Sequence, residues 1–294
     1  MRTDRPPRPA RLLVVTADDF GIGVETSHGI VDVAVRGPVT ATSALVVADA
    51  CEASLPLLAE APAMELGLHI GLTGRFRPLA ATRASGLVGR DGRFGSPGGL
   101  LAACLAGRVS RAALADEISA QAERLRQLSG RALVHFDGHH HAHEFPVVRD
   151  VAADLAVAGV LPAVTRVTVE PLAIRRRARG ERFRRQVIEW LGRGARACFA
   201  GRGLRANDAL FGTLVRAGVD GAFPWAVHLA HLPIGGVVEW MVHPGRPDPA
   251  LRDLDDYVEG RVAEWRALTA LEHRPTWDRR DWPRGGKARL GDLS

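Results

Sequence analysis

Residues 11–17 (RLLVVTA) form a near-continuous apolar, β-branched run, the pattern of a strand covered on both faces of a parallel sheet. The run stops at Asp18-Asp19-Phe20-Gly21, and helical spacing follows over 24–35 until Gly37-Pro38 closes it. Residues 40–47 predict a second strand, 49–60 a second helix, and 65–70 (ELGLHI) a third strand with His69 at its end. Residues 71–109 lose all periodicity and are rich in glycine, so they read as a lid or binding loop with a short helix at 100–105. Residues 110–128 are an amphipathic helix: Ser110 caps it, Leu114, Ile118, Ala122 and Leu125 share a face, and Ser129-Gly130 ends it.

A short strand at 132–134 then leads into Asp137-Gly138 and a tract holding His139, His140, His141 and His143. Beyond it the pattern predicts a helix at 146–158, a strand at 161–169 carrying Arg166, and a long amphipathic helix inside the arginine-dense stretch 175–205. Asn207-Asp208 and Leu210-Phe211-Gly212 precede a helical stretch to about residue 217, and a buried strand at 236–242 contains Glu239 and ends in His243-Pro244-Gly245. The terminal helix, 253–271, places Leu254, Tyr257, Val258, Val262, Trp265 and Leu268 on its buried side. Strands alternating with helices give an α/β chain, a single β/α barrel-like domain of TIM-barrel type whose closure need not be complete. It spans 11–274 between a disordered tail at 1–10 and a second tail at 275–294.

Composition changes this picture little. The 294 residues are 46% hydrophobic, enough for a buried core, and carry a formal charge of +6. The pI of about 10.3 invites a nucleic-acid reading, but Lys287 is the only lysine and the arginine bias matches a GC-rich coding sequence, so the charge is discounted. Cys51, Cys104 and Cys198 are odd in number and far apart, which excludes a disulfide framework or a thiolate zinc site and fits a reducing, cytoplasmic compartment. No stretch has the length of a membrane span or of a signal-peptide apolar segment.

Polar residues stand at four predicted strand ends: Asp18 and Asp19, His69, the His139 tract and His243. In a β/α barrel those ends share one face. Adjacent carboxylates repel unless a cation or a proton lies between them, and crowded imidazoles are relieved by a divalent ion. One carboxylate with two imidazoles leaves coordination positions open, and a second carboxylate beside them could take a proton from water. Each residue also has a plainer reading: His69 as a core histidine, the histidine tract as a polar surface loop, the arginine stretch as a solvated helix.

The motifs TADDFG (16–21), GLHIGLT (67–73), FDGHHHAH (136–143) and MVHPG (241–245), with GPVTATSALV (37–46), resemble those of the YdjC-like carbohydrate deacetylases. That family includes chito-oligosaccharide deacetylases and hopanoid-biosynthesis-associated members. The resemblance implies a barrel-like fold and one divalent metal ion, magnesium or zinc first. The activity it implies is hydrolysis of an amide C–N bond that frees the N-acetyl group of an amino sugar. By motif, Asp19, His69 and His139 would be the metal ligands, Asp18 the base and His243 the assisting acid. His141, His143, Arg166 and Glu239 would orient ligands or face substrate. The expected partner is an acetylated amino sugar, on an oligosaccharide or carried by a lipid, with peripheral membrane contact and a homodimer left open. The competing readings are a phosphoesterase on the same scaffold, which needs carboxylates to bridge two metals, and a basic nucleic-acid-binding protein.

Overall fold

The computed structural model describes residues 11–80, 86–172, 182–213 and 236–273. The expected tails at 1–10 and 275–294, the stretch 175–181 of the arginine segment and the helical continuation at 214–217 lie outside the described residues.

The centre is one parallel sheet. Strands β1 (Arg11–Phe20), β2 (Ala41–Ala44), β3 (Glu65–Ile70), β4 (His135–Gly138), β5 (Val164–Thr165), β6 (Arg205–Ala206), β7 (Ala209–Phe211) and β8 (Gly236–Val242) lie in the order β6-β5-β4-β3-β2-β1-β8-β7. The two edge strands are neighbours in sequence, separated by Asn207 and Asp208 alone. Three Cα steps span at most about 11 Å, so the sheet must curl until its edges nearly meet.

Asn207 and Asp208 make that seam. The Asn207 side chain stands in for a peptide group: its Oδ1 accepts from Val167 N at 2.8 Å and its Nδ2 donates to Val167 O at 2.9 Å. Asp208 N donates to Val237 O at 2.8 Å, and its Oδ2 accepts from Val237 N at 2.7 Å. These bonds hold residues 209–211 extended, as β7, a strand too short for the sequence pattern to mark. The ladder of β5 is likewise shorter than the apolar run 161–169 suggests.

Helices α1 (Val24–Arg36), α2 (Cys51–Ser54), α3 (Pro97–Leu105), α4 (Arg111–Ser129), α5 (Val148–Val157), α6 (Arg182–Gly201) and α7 (Val258–Thr269) accompany the sheet. Strand alternation sorts side chains by face. Leu13, Val15 and Ala17 of β1 join Ile30 and Val33 of α1 in the large core between sheet and helices. Val14, Ala41, Val164 and Val237 form a separate apolar cluster on the other face, inside the curl. Two residues further along each strand, the same inner face carries Thr16, Ser43, Arg166 and Glu239. The barrel interior is thus an apolar plug with a polar site above it, at the C-terminal ends of the strands.

The segment after β3 is tied down. Gln121 of α4 pairs with both the N–H and the carbonyl of Gly71, and the buried Glu117 accepts from Leu79 N and Ala80 N. The helix in this region is longer than expected, Pro97–Leu105, because Ser96 caps it by accepting from Gly99 N.

Candidate functional site

Strict alternation would send the carboxylates of Asp18 and Asp19 to opposite faces of β1. They share one face because the strand bulges there: Phe20 pairs with Ala44 where an unbroken register would pair it with Leu45. Asp19 takes a left-handed conformation, φ 65°, which aspartate tolerates better than most residues. The strand therefore runs on through both carboxylates to Phe20.

Asp19 Oδ1 lies 2.8 Å from His139 Nδ1 and 3.1 Å from His69 Nε2, and all three side chains are buried. The other nitrogen of His69, Nδ1, is 2.7 Å from Asp137 Oδ1 and 3.2 Å from Ser43 Oγ. A carboxylate behind an imidazole fixes the ring and leaves its far nitrogen free to act as a donor to a metal, the usual support of metal-binding histidines. Asp19, His69 and His139 can each supply one ligand atom, all within 4.8 Å of one another. This donor set fits a divalent cation.

Asp18 has a different neighbour. Arg166 Nη1 is 2.5 Å from Asp18 Oδ2 and Nη2 is 2.7 Å from Oδ1, so both oxygens face one guanidinium. Arg166 also reaches Glu239 Oε1 through Nε at 2.9 Å and Asp137 Oδ2 through Nη2 at 2.9 Å. A second grouping, Asp18 with His69 and Asp137, has ligand-like spacing too, but this arginine already fills it with positive charge. His243 Nε2 stands 4.0 Å from Asp18 Oδ2, on the more solvent-accessible side.

The electrostatics follow from burial against these partners. Burial alone would raise Asp19, but Arg261 and His139 outweigh it and hold the carboxyl well below its usual range. Burial would lower His69, yet the Asp137 carboxylate beside it pushes the imidazole up to about 10. Burial raises Glu239 despite its contact with Arg166. His135, fully buried beside Gly67, is driven down to about 4 by desolvation; a Cβ at Gly67 would stand 2.3 Å from its Nε2.

The histidine tract does not act as one cluster. β4 ends at Gly138, and His139–Glu144 form a 3-10 turn in which His140 and His141 are left-handed, φ 54° and 58°. Only His139 turns to Asp19. His140 is exposed, with Nδ1 2.9 Å from Thr73 Oγ1. His141 is half-buried with an unpartnered Nδ1, and burial, then Arg166 and nearby histidines, keep it well below the ordinary imidazole range. His143 points behind the site, with Nε2 3.1 Å from the Arg166 carbonyl and its ring stacked on Phe199. The tract does not aim its imidazoles at one spot, because once the strand stops at Gly138 the two-residue period stops with it.

The sequence reading did not assign Asp137, Ser43, Arg261 and Glu264 to the site. Arg261 donates through Nη2 to Asp19 Oδ2, and Glu264 accepts from the His243 N–H and, at 2.9 Å, from Tyr257 Oη. Both lie on the buried face of α7, which is Val258, Arg261, Glu264 and Leu268. Charged residues at core spacing between apolar ones were the available signal.

The curled parallel sheet and the Asp/His donor set place the chain among α/β barrel proteins with a cation-capable site at the strand ends. The chain belongs to the YdjC-like protein family, which matches residues 12–279. It is similar to a carbohydrate deacetylase of Homo sapiens, 34% identical over 269 residues, covering 82% of this chain and 76% of that protein. A chitooligosaccharide deacetylase of Escherichia fergusonii is 36% identical over 146 residues, 50% of this chain and 56% of that protein. Among solved structures, a protein from Enterococcus faecalis V583 described as a cellobiose-phosphate cleavage protein superposes with a TM-score of 0.74. That likeness covers 97% of this chain and 99% of that one at 21% identity, and it speaks for the fold. No helix among the described residues is long and apolar enough to cross a membrane.

Proposed function

We propose that the protein is a metal-dependent carbohydrate deacetylase that hydrolyses the N-acetyl group of an amino sugar. The observation that carries the reading is the convergence of Asp19, His69 and His139 on one point, with Asp18 held beside it and His243 beyond. Two imidazoles and one carboxylate suit zinc better than magnesium, which prefers oxygen donors. A cation held by these three residues supplies Lewis-acid polarisation of the acyl oxygen and acidifies water.

The chain's own residues supply the rest. Asp18, fixed in orientation by Arg166, accepts a proton from the attacking water as its oxygen adds to the acyl carbon. His243 gives a proton to the amide nitrogen as the C–N bond breaks, so that acetate and a free amine leave. Its place on the accessible side suits a group that meets the sugar. Arg166 keeps Asp18 aimed through its two-pronged contact, and Asp137 keeps the His69 ring in place. His141, with a free ring nitrogen near Arg166 and His243, is positioned to contact substrate.

The phosphoesterase alternative needs a second metal, and the site where one would bind is filled by Arg166. A lipid-carried amino sugar is favoured by one observation: α6 turns Phe183 and Trp190 outward, 80% and 53% exposed. The test is release of acetate from N-acetylglucosamine oligomers, and from an acetylated glycolipid in vesicles, by chelated and zinc-reloaded protein. Zinc-dependent acetate from either substrate supports the reading, and phosphate release from phosphate esters without acetate from either overturns it.

A further inference from the structure

The two oxygens of Asp19 have different neighbours. Oδ1 faces the imidazoles of His139 and His69, whereas Oδ2 takes a hydrogen bond from Arg261 Nη2. Arg261 comes from α7, and its Nε is 2.5 Å from Asp255 Oδ2. The arginine and Asp19 side chains are each 3% exposed, and that of Asp255 is 18%. Asp255, Arg261 and Asp19 therefore form a relay that places a fixed positive charge one carboxylate away from where a cation would sit.

Anchoring the helix does not require this arrangement. A buried ion pair is often no more stabilising than apolar residues of the same volume. α7 is fastened to α1 independently, because Trp265 Nε1 donates to Asp32 at 3.0 Å. The 3.1 Å bond from Gly245 N to the Arg261 carbonyl uses the backbone and would survive any side chain.

We propose that Arg261 is a positioning residue that reserves Oδ1 of Asp19 for the cation and sets how tightly that cation is held, with Asp255 moderating its charge from behind. The inference rests on the cation site proposed at Asp19, His69 and His139. With Oδ2 taken, Asp19 offers one oxygen and leaves room at the cation for substrate and water. The guanidinium repels the cation it helps to place, so binding is weaker and exchange easier than the three ligands alone would give.

The test is calorimetric titration of the full-length protein with zinc(II), comparing wild type, Arg261→Gln, Arg261→Lys and Asp255→Asn. Arg261→Gln keeps an N–H donor but loses the charge, and it is expected to bind zinc roughly tenfold more tightly. Asp255→Asn leaves the guanidinium charge unmoderated, and it is expected to bind about threefold or more weakly. Arg261→Lys is expected to stay near the wild-type constant. A purely structural role would weaken binding in both neutralised variants or move neither. Equal or weaker binding by folded Arg261→Gln overturns the proposal. Should that variant not fold, Asp255→Asn decides, and binding as tight as wild type or tighter overturns it. Wild-type protein that takes up no zinc fails in a different way: it removes the cation site itself and the inference with it.

Discussion

Arg166 grips Asp18 with two guanidinium nitrogens while the same side chain contacts Asp137 and Glu239. One buried cation thus serves three buried carboxylates. Arg166→Met is expected to cost about 3–5 kcal/mol of stability by leaving those carboxylates uncompensated, read as a fall in the urea midpoint. Arg166→Lys, which cannot make the two-pronged contact, should fold better but lose most turnover with little change in KM. A folded Arg166→Met with wild-type turnover would show that Asp18 needs no such hold.

Asp18 and Asp19 are neighbours with different partners, so the roles proposed for them, base and ligand, can be tested apart. Asp18→Asn is expected to bind zinc at wild-type stoichiometry while turnover drops roughly 10²–10⁴-fold. Asp19→Asn, which keeps the tolerance for a left-handed backbone, should lose more than roughly a hundredfold in zinc affinity. The reverse pattern would exchange the base and the ligand.

His69 lies between two carboxylates, and its imidazole is raised to about 10 from an ordinary 6.5. Because the folded value is the higher one, the stability that the protonated ring contributes to the zinc-free protein is complete below pH 6.5 and is lost as pH rises through 10. The zinc-free melting temperature should therefore fall between neutral pH and pH 10, and His69→Gln should flatten that decline. Zinc binding at pH 8 should release about one proton per ion, measurable as a dependence of calorimetric heat on the buffer's ionisation enthalpy. Zinc uptake with no proton released would mean the imidazolium is not displaced.

Asn207, in the two-residue link between the edge strands β6 and β7, pairs with both backbone groups of Val167. Asn207→Ala leaves a buried N–H and a buried carbonyl unpaired and is expected to destabilise by about 2–4 kcal/mol. Thermal unfolding measures it directly, and a loss below ~1 kcal/mol would mean that the seam is held elsewhere.

Much of this was legible in the sequence, for physical reasons that also mark where legibility stops. The buried strands of β1, β3 and β8 are apolar runs bounded by charged or histidine residues, so their ends and the residues on them could be read directly. The inner face of β1 could not, because the bulge at Asp18 and Asp19 is a backbone event with no hydrophobic signature. The left-handed His140 and His141 scatter the histidine tract for the same reason. Residues 209–211 carried no strand signal because so short a strand has no period, and what extends them is the pairing at Asn207 and Asp208. Arg261 and Glu264 were passed over because a search for an apolar stripe skips the charged members of a buried face. That face of α7 is half apolar and half site.

The proposed deacetylase depends on one cation held where Asp19, His69 and His139 meet. The direct measurement is acetate release from N-acetylglucosamine oligomers after chelation and zinc add-back, for wild type and His139→Ala. Wild-type activity that vanishes on chelation and returns with one equivalent of zinc, with none from a folded His139→Ala, is the predicted result. Activity that survives full chelation, or that His139→Ala retains, would contradict it.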